Sequence, residues 1–249
     1  MTRDYDGALR FIDEALNIAP DTADFIAGKA VVYQQLGELD HAETVLNGLH
    51  PRAADALPII AITGQARLRR SYAGAINQLE GLLQPIQGSG ARGFLFSFLN
   101  INLGELRRLS GDETGARDNY IKARDELLAM LKAQPEVRSG NLDGARAGVY
   151  EDLALAYSGL GERDAAMQSA ERAVDLLPIA KDAVGGVSAE TTRAIVQSHF
   201  GDRDHAIPAL ERLLKVPSYV TPASLRLDAD FDLLRGDPRF EKLCQDKQH

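Results

Sequence analysis

The sequence predicts an all-α fold in which antiparallel helix pairs stack into a solenoid, and three observations carry that prediction. First, a glycine followed five residues later by an alanine, with a small residue seven positions before the glycine, recurs in one register. The copies are Ala30/Gly37/Ala42, Gly104/Gly111/Ala116, Ala154/Gly161/Ala166 and Ala194/Gly201/Ala206. Second, apolar residues fall at three- and four-residue spacing, as in Leu9, Ile12 and Leu16 or Leu79, Leu82 and Leu83, with almost no strand-type alternation. Third, Pro20 and Pro178 lie at matching distances past register positions 3 and 161, where proline cannot continue a helix.

Each pair follows from this register in turn. Position 3 holds Arg3, with Ala8 five residues on, so the chain opens on a second helix alone, Tyr5 to Ala19, exposed on one side. Solenoids usually cover their ends, and the expectation is a stretch cut from a longer polypeptide. The next pair turns at Gly37. The third keeps Thr63 and Ala75 but carries Arg70 where glycine is expected, and the remaining pairs turn at Gly111, Gly161 and Gly201.

Glycine suits a turn at φ > 0, a conformation that costs other residues roughly 1–2 kcal/mol. The small residues let the two helices of a pair approach at the crossing, while Tyr33, Leu46, Tyr157 and Leu210 fill the space to the next pair. Spacing between register positions 3, 37, 70, 111, 161 and 201 runs 34, 33, 41, 50 and 40 residues, so the later steps carry insertions. These are placed at 86–93 and 134–147, as loops or lengthened helices. Pro51, Pro85 and Pro217 are read as further helix stops. After Pro217, Thr221-Pro222 and Asp237-Pro238 each open a short helix, and Leu225, Leu227, Phe231, Leu233, Leu234, Phe240 and Leu243 supply an apolar cover. The organisation expected is therefore a repeat region over 1–216 and a C-terminal capping segment over 217–249.

Leu153-Ala154 followed by Tyr157, Gly161, Ala166, Ala173 and Pro178 resembles the tetratricopeptide repeat consensus, and Ala30, Tyr33, Gly37 and Ala42 repeat part of it. The resemblance spans residues 3–216. It implies a right-handed superhelix whose concave groove binds a segment of another protein, with no catalytic residue, no cofactor and no metal. The string Leu227-Asp-Ala-Asp-Phe-Asp-Leu-Leu-Arg-Gly-Asp-Pro-Arg-Phe240 resembles a tail that ends many bacterial tetratricopeptide regions attached to serine/threonine kinases, nucleotide cyclases or transcriptional regulators. That second resemblance implies an alternative role, a sensory or regulatory domain that binds a small ligand or its own catalytic domain.

Composition narrows the partners. A formal net charge of −8 and a pI near 5.2 argue against nucleic acid, because phosphate binding needs a basic face. Cys244 is the only cysteine, which excludes an intrachain disulfide and a cysteine-based zinc site. No stretch approaches the roughly 20 apolar residues of a membrane span, and the first residues lack the apolar core of a signal peptide. The expected location is the cytoplasm.

Motifs for chemistry are weak. Gly88-Ser-Gly90-Ala-Arg-Gly93 has the glycine spacing of a dinucleotide loop but follows a helix read as ending at Pro85, where that loop needs a strand. Phosphate-loop, zinc-helix and nucleophile-elbow motifs are absent. None of His41, His50, His199, His205 and His249 has a ligand set nearby in sequence, so each is read as a surface or turn residue. Asp40, Asp112, Glu162 and Asp202 sit where they precede or cap second helices.

The remaining candidate is the groove. The resemblance places first-helix residues ten, six, three and two positions before the turn on its inner wall. Among these, Val31, Gln34, Gln35, Ile60, Arg67, Ile101, Glu105, Arg108, Glu151, Leu155 and Ser158 are the candidate contact residues. The lysine, arginine and asparagine with which chaperone-binding relatives grip a terminal carboxylate are missing from the first two positions. Arg67 and Arg108 occupy equivalent places in successive repeats, with Arg69, Arg70 and Arg107 close by. Such forks suit an acidic or phosphorylated segment. The simpler account, favoured by their position at helix ends, is a solvated charge complementing the helix dipole. A partner protein, the parent chain or a second copy are the occupants in view.

Overall fold

The computed structural model describes residues 4–52, 55–89, 93–133 and 143–245. A lone helix, α1 (Tyr5–Ile18), precedes five antiparallel pairs: α2 (Ala23–Leu36) with α3 (Leu39–Leu46), α4 (Ala56–Arg69) with α5 (Ala73–Ser89), α6 (Phe94–Ser110) with α7 (Glu113–Ala133), α8 (Asp143–Gly159) with α9 (Arg163–Leu176), and α10 (Gly185–His199) with α11 (Arg203–Leu213). First helices stack on first helices, α2 on α4, α4 on α6, α6 on α8 and α8 on α10. The architecture is an all-α solenoid.

All five first helices end in the same way. Gly37, Arg70, Gly111, Gly161 and Gly201 have positive φ, and the next amide reaches back to the carbonyl five residues earlier, as in Glu38 N to Tyr33 O at 2.9 Å and Ser71 N to Ala66 O at 3.0 Å. The crossings are as tight as the small residues require. Ala30, Ala42, Ala154, Ala166, Ala194 and Ala206 are fully buried. At Gly104 and Gly159 the packing partner is one ring: a Cβ at Gly159 would stand 2.2 Å from the Tyr120 side chain, and one at Gly104 would stand 2.9 Å from it. Tyr120 of α7 therefore wedges between α6 and α8.

Prolines differ from expectation at one stop. Pro20 and Pro178 follow α1 and α9, but Pro85 lies inside α5, which runs on to Ser89. One lost amide bond is outweighed by the burial of Leu79 and Leu83 on the same helix. The glycine-rich stretch thus begins as helix and ends at Gly93, the N-cap of α6; its residues 90–92 lie outside the described residues. So do 134–142 of the second insertion, whose last residues open α8. Asp112 caps α7 by accepting from Gly115 N at 2.9 Å, whereas the side chains of Glu162 and Asp202 stand at N-caps without a capping bond to the backbone.

Beyond α11 the chain forms α12 (Pro222–Leu227), a 3-10 turn (Ala229–Leu234) and α13 (Pro238–Gln245). Thr221 and Ser224 exchange side-chain and backbone bonds across the start of α12, with Pro222 in the first turn. Leu225, Phe231, Leu234, Phe240 and Leu243 are buried in one cluster with Val187, Ala194, Ala206 and Leu210 of the last pair, while Leu233 is exposed. The segment also reaches further. α12 touches α2 and α4, and the 3-10 turn packs on α10. An open inner curve was the expectation; instead, residues 221–234 cross it and bring the first full pair into contact with the end of the chain.

Candidate functional site

The site is built where the C-terminal ends of the first helices meet the crossing segment. Arg67, in the last turn of α4, points its guanidinium at three carboxylates. Nη1 lies 3.3 Å from Glu105 Oε2 of α6 and 3.3 Å from Asp230 Oδ2, and Nη2 lies 3.1 Å from Asp228 Oδ2. From the other side, His199 at the end of α10 places Nε2 3.0 Å from Asp230 Oδ1, and its Nδ1 lies 2.9 Å from Ser158 Oγ of α8. Four first-helix residues thus converge on two aspartates two positions apart.

Flanking contacts extend the docking in both directions. Arg70 holds Asp232 through two bonds, Nη1 to Oδ2 at 2.8 Å and Nη2 to Oδ1 at 2.7 Å. Thr221 Oγ1 donates to the Gln35 carbonyl at 2.9 Å, beside Gly37, where a Cβ would stand 3.2 Å from that of Ala223. Arg108 hydrogen-bonds Tyr120 and adds positive charge near Glu105 and Asp230.

Electrostatics follow from burying three acids beside few cations. Burial, then the neighbouring Asp230, pushes the Glu105 carboxyl up. Burial also works to raise Asp230, but Arg67 and His199 outweigh it and hold that carboxylate well below the usual range. Asp228 is raised by burial, partly offset by Arg67. Arg67 is itself held charged, its desolvation outweighed by Asp228, Asp230 and Glu105. The first helices add to the imbalance, because their C-terminal ends carry partial negative charge.

Ser158, His199 and Asp230 line up as hydroxyl, imidazole and carboxylate, the order of a hydrolase relay. Here the ring nitrogens are exchanged relative to that relay, and Ser158 is buried within packed helices with its hydroxyl committed to His199. The arrangement binds and holds charge.

Sequence reading placed several of these residues. Arg67, Glu105 and Ser158 belong to the cluster, Arg108 borders it, and Gln35 meets the segment through its carbonyl. Others serve the repeat stack. Gln34 bonds the Ala61 carbonyl at 2.8 Å, Val31 and Ile101 are buried core, Glu151 accepts from Ser188 and Thr192 of α10, and Leu155 packs against two clusters of the repeat core. Ile60 is exposed.

Two readings need correction. Arg67 is no solvated helix end, since three carboxylates surround it; and His199, though at a hairpin end as read, is no surface residue, since it bridges α8 and the 3-10 turn. His205 keeps the expected exposed place, paired with Asp202, and so does His41 with Glu38. His249 lies outside the described residues. Asp228, Asp230 and Asp232 were not singled out, although their alternation opposite the arginine-rich ends of α4 and α6 was a signal of complementarity.

Two segments of the chain match family models, residues 2–62 and residues 147–178, each model described as a tetratricopeptide repeat. Among solved structures, the chain is similar to one described as the crystal structure of BtubC (BKLC) from P. vanneervenii, at 17% identity and a TM-score of 0.41, over 85% of this chain and 87% of that one. No curated protein matches the chain.

Proposed function

The chain is a tetratricopeptide-repeat protein, and from that premise we propose that its inner face recognises an acidic segment of a partner protein, with residues 221–234 as the resident occupant. Tetratricopeptide repeats in general are non-catalytic modules that bind proteins or peptides. What supports the finer reading is one observation: Arg67, on a groove-side position, and Arg70, at the turn of the same repeat, hold Asp228, Asp230 and Asp232 of the chain's own tail. Charge-assisted forks of this kind select carboxylates over neutral chains, and a partner carrying a similar Asp-x-Asp-x-Asp run would compete for the same bonds. Among the described residues, no helix is long and apolar enough to cross a membrane.

The test is binding in trans. A labelled peptide copying residues 225–236 is titrated into the full chain and into an Asp228→Asn/Asp230→Asn/Asp232→Asn variant. The variant is expected to bind the peptide about tenfold more tightly than the parent, because its own tail competes less. Adding Arg67→Ala to the variant should abolish that gain. Absence of binding by the triple variant, or binding indifferent to Arg67, overturns the reading.

A second reading, a regulatory domain of a larger bacterial signalling protein, draws on a different observation. The segment ties α2 and α4 to α10, so its release would free the superhelix to change curvature, and an attached kinase or cyclase would feel that change.

A further inference from the structure

We propose that Glu105, His199 and Asp230 form a binding site for one divalent transition-metal ion of the Zn2+ type, which clasps α6 and α10 to the 3-10 turn. One carboxylate oxygen from each acid and one ring nitrogen of the histidine all lie within 4.8 Å of one another, in the interior of the protein. The oxygens turned away from Arg67 are the ones an ion would take. Arg67 takes Glu105 Oε2 and Asp230 Oδ2, leaving Asp230 Oδ1 facing His199 Nε2 at 3.0 Å. Glu105 Oε1 is buried with no donor to pair with, on a residue only 8% exposed. An orphaned buried carboxylate oxygen costs free energy until a cation or donor reaches it.

The histidine is set up for the same role. With an ion bound, Ser158 Oγ, 2.9 Å from Nδ1, would accept the Nδ1–H and leave the Nε2 lone pair to the metal, the tautomer control typical of metal-bound imidazole. Without an ion, Nε2 donates to Asp230 Oδ1 at 3.0 Å, and the ion would take the place of that proton. Ligands about 2.0–2.2 Å from a tetrahedral zinc stand about 3.4 Å apart. The present Nε2–Oδ1 separation is close to this, and the Glu105 side chain must close by about 1 Å or so. Imidazole with two carboxylates favours Zn2+, Mn2+ or Co2+ over Mg2+, which keeps its waters and prefers oxygen alone.

Asp228 is a neighbour and not a ligand, since its oxygens are engaged by Arg67 and by the Asp230 amide at 3.2 Å. Charge permits the ion. Three carboxylates and the negative ends of the first helices face Arg67, with Arg108 bordering.

The experiment is a titration of the chelator-treated full chain with Zn2+ by calorimetry, repeated with Co2+ and read by its visible absorption. One ion per chain is expected, with a Co2+ spectrum of nitrogen and oxygen ligands and a rise in melting temperature on binding. Glu105→Gln and His199→Gln, near in size to the originals, should each weaken binding by thirtyfold or so, about 2 kcal/mol, while His205→Gln, an exposed control, should not. Circular dichroism establishes that each variant is folded. If a variant fails to fold, the Co2+ spectrum of the parent decides. No one-to-one binding by the parent, a spectrum showing sulfur ligation, or binding that survives both substitutions overturns the site.

Discussion

At Arg70 the backbone is held at φ 55°, where every equivalent turn has glycine, and it is the one non-glycine residue with positive φ among those described. Strain of this kind costs roughly 1–2 kcal/mol. The side chain's bidentate pair with Asp232 is half exposed on both sides and returns only about 0.3–1 kcal/mol. The arginine is therefore poorly explained by stability and well explained by tail recognition. Arg70→Ala keeps the strain and loses the pair, whereas Arg70→Gly loses both. Urea unfolding should find the glycine variant about 1 kcal/mol more stable than the alanine variant; the reverse order would show that Arg70 is not strained.

Asp152 poses the same kind of question inside α8. Burial, with Glu151 adjacent, raises its carboxyl to about 8, and Oδ2 has no hydrogen-bond partner. In the unfolded chain an aspartate titrates near 3.9. Between those values the native state holds one more proton than the unfolded state, so stability is fully present below about pH 4 and is lost as pH rises through 8. The slope is up to about 1.4 kcal/mol per pH unit. Asp152→Asn removes it: thermal melts from pH 5 to pH 9 should show the variant gaining on the parent as pH rises. Parallel curves would mean the carboxyl is ionised in the native protein.

At the scale of elements, the sequence was legible wherever a local rule also has a packing consequence. The Gly37, Gly111, Gly161 and Gly201 turns and the alanine crossings, located by register, and the Thr221-Pro222 helix start, located by its cap and proline, combine backbone geometry with burial. Pro85 was misjudged because a helix-breaking residue was weighed without Leu79 and Leu83, whose burial anchors α5 in the turns just before it. The candidate site was half legible. The groove positions implied by the family resemblance included Arg67, Glu105, Arg108 and Ser158, but the partners of Arg67 and Arg70 come from more than 100 residues away, and no periodicity links Arg67 to Asp228 or Arg70 to Asp232. Contacts of that range depend on how the stacked pairs curve as a whole, which no single repeat encodes.

For the whole molecule, the crossing segment changes how the solenoid should unfold. Stacked repeats touch only their neighbours, so their stability is close to a sum of local terms and their ends fray independently. Here Thr221 bonds Gln35, and Arg70 bonds Asp232, across sequence separations of 186 and 162 residues. Opening the tail therefore exposes α2 and α4 as well as α10. In the Asp228→Asn/Asp230→Asn/Asp232→Asn variant, Arg67 keeps its charge while losing two of its three acids, and removing partners from a buried ion pair costs about 3–5 kcal/mol. Hydrogen exchange should then speed up together in α2, α4 and α12, while α8 and α9, whose contacts lie within the repeat stack, keep their protection. If α12 exchanges faster and α2 does not, the tail is a local cap on the last pair and the two ends of the molecule are energetically separate.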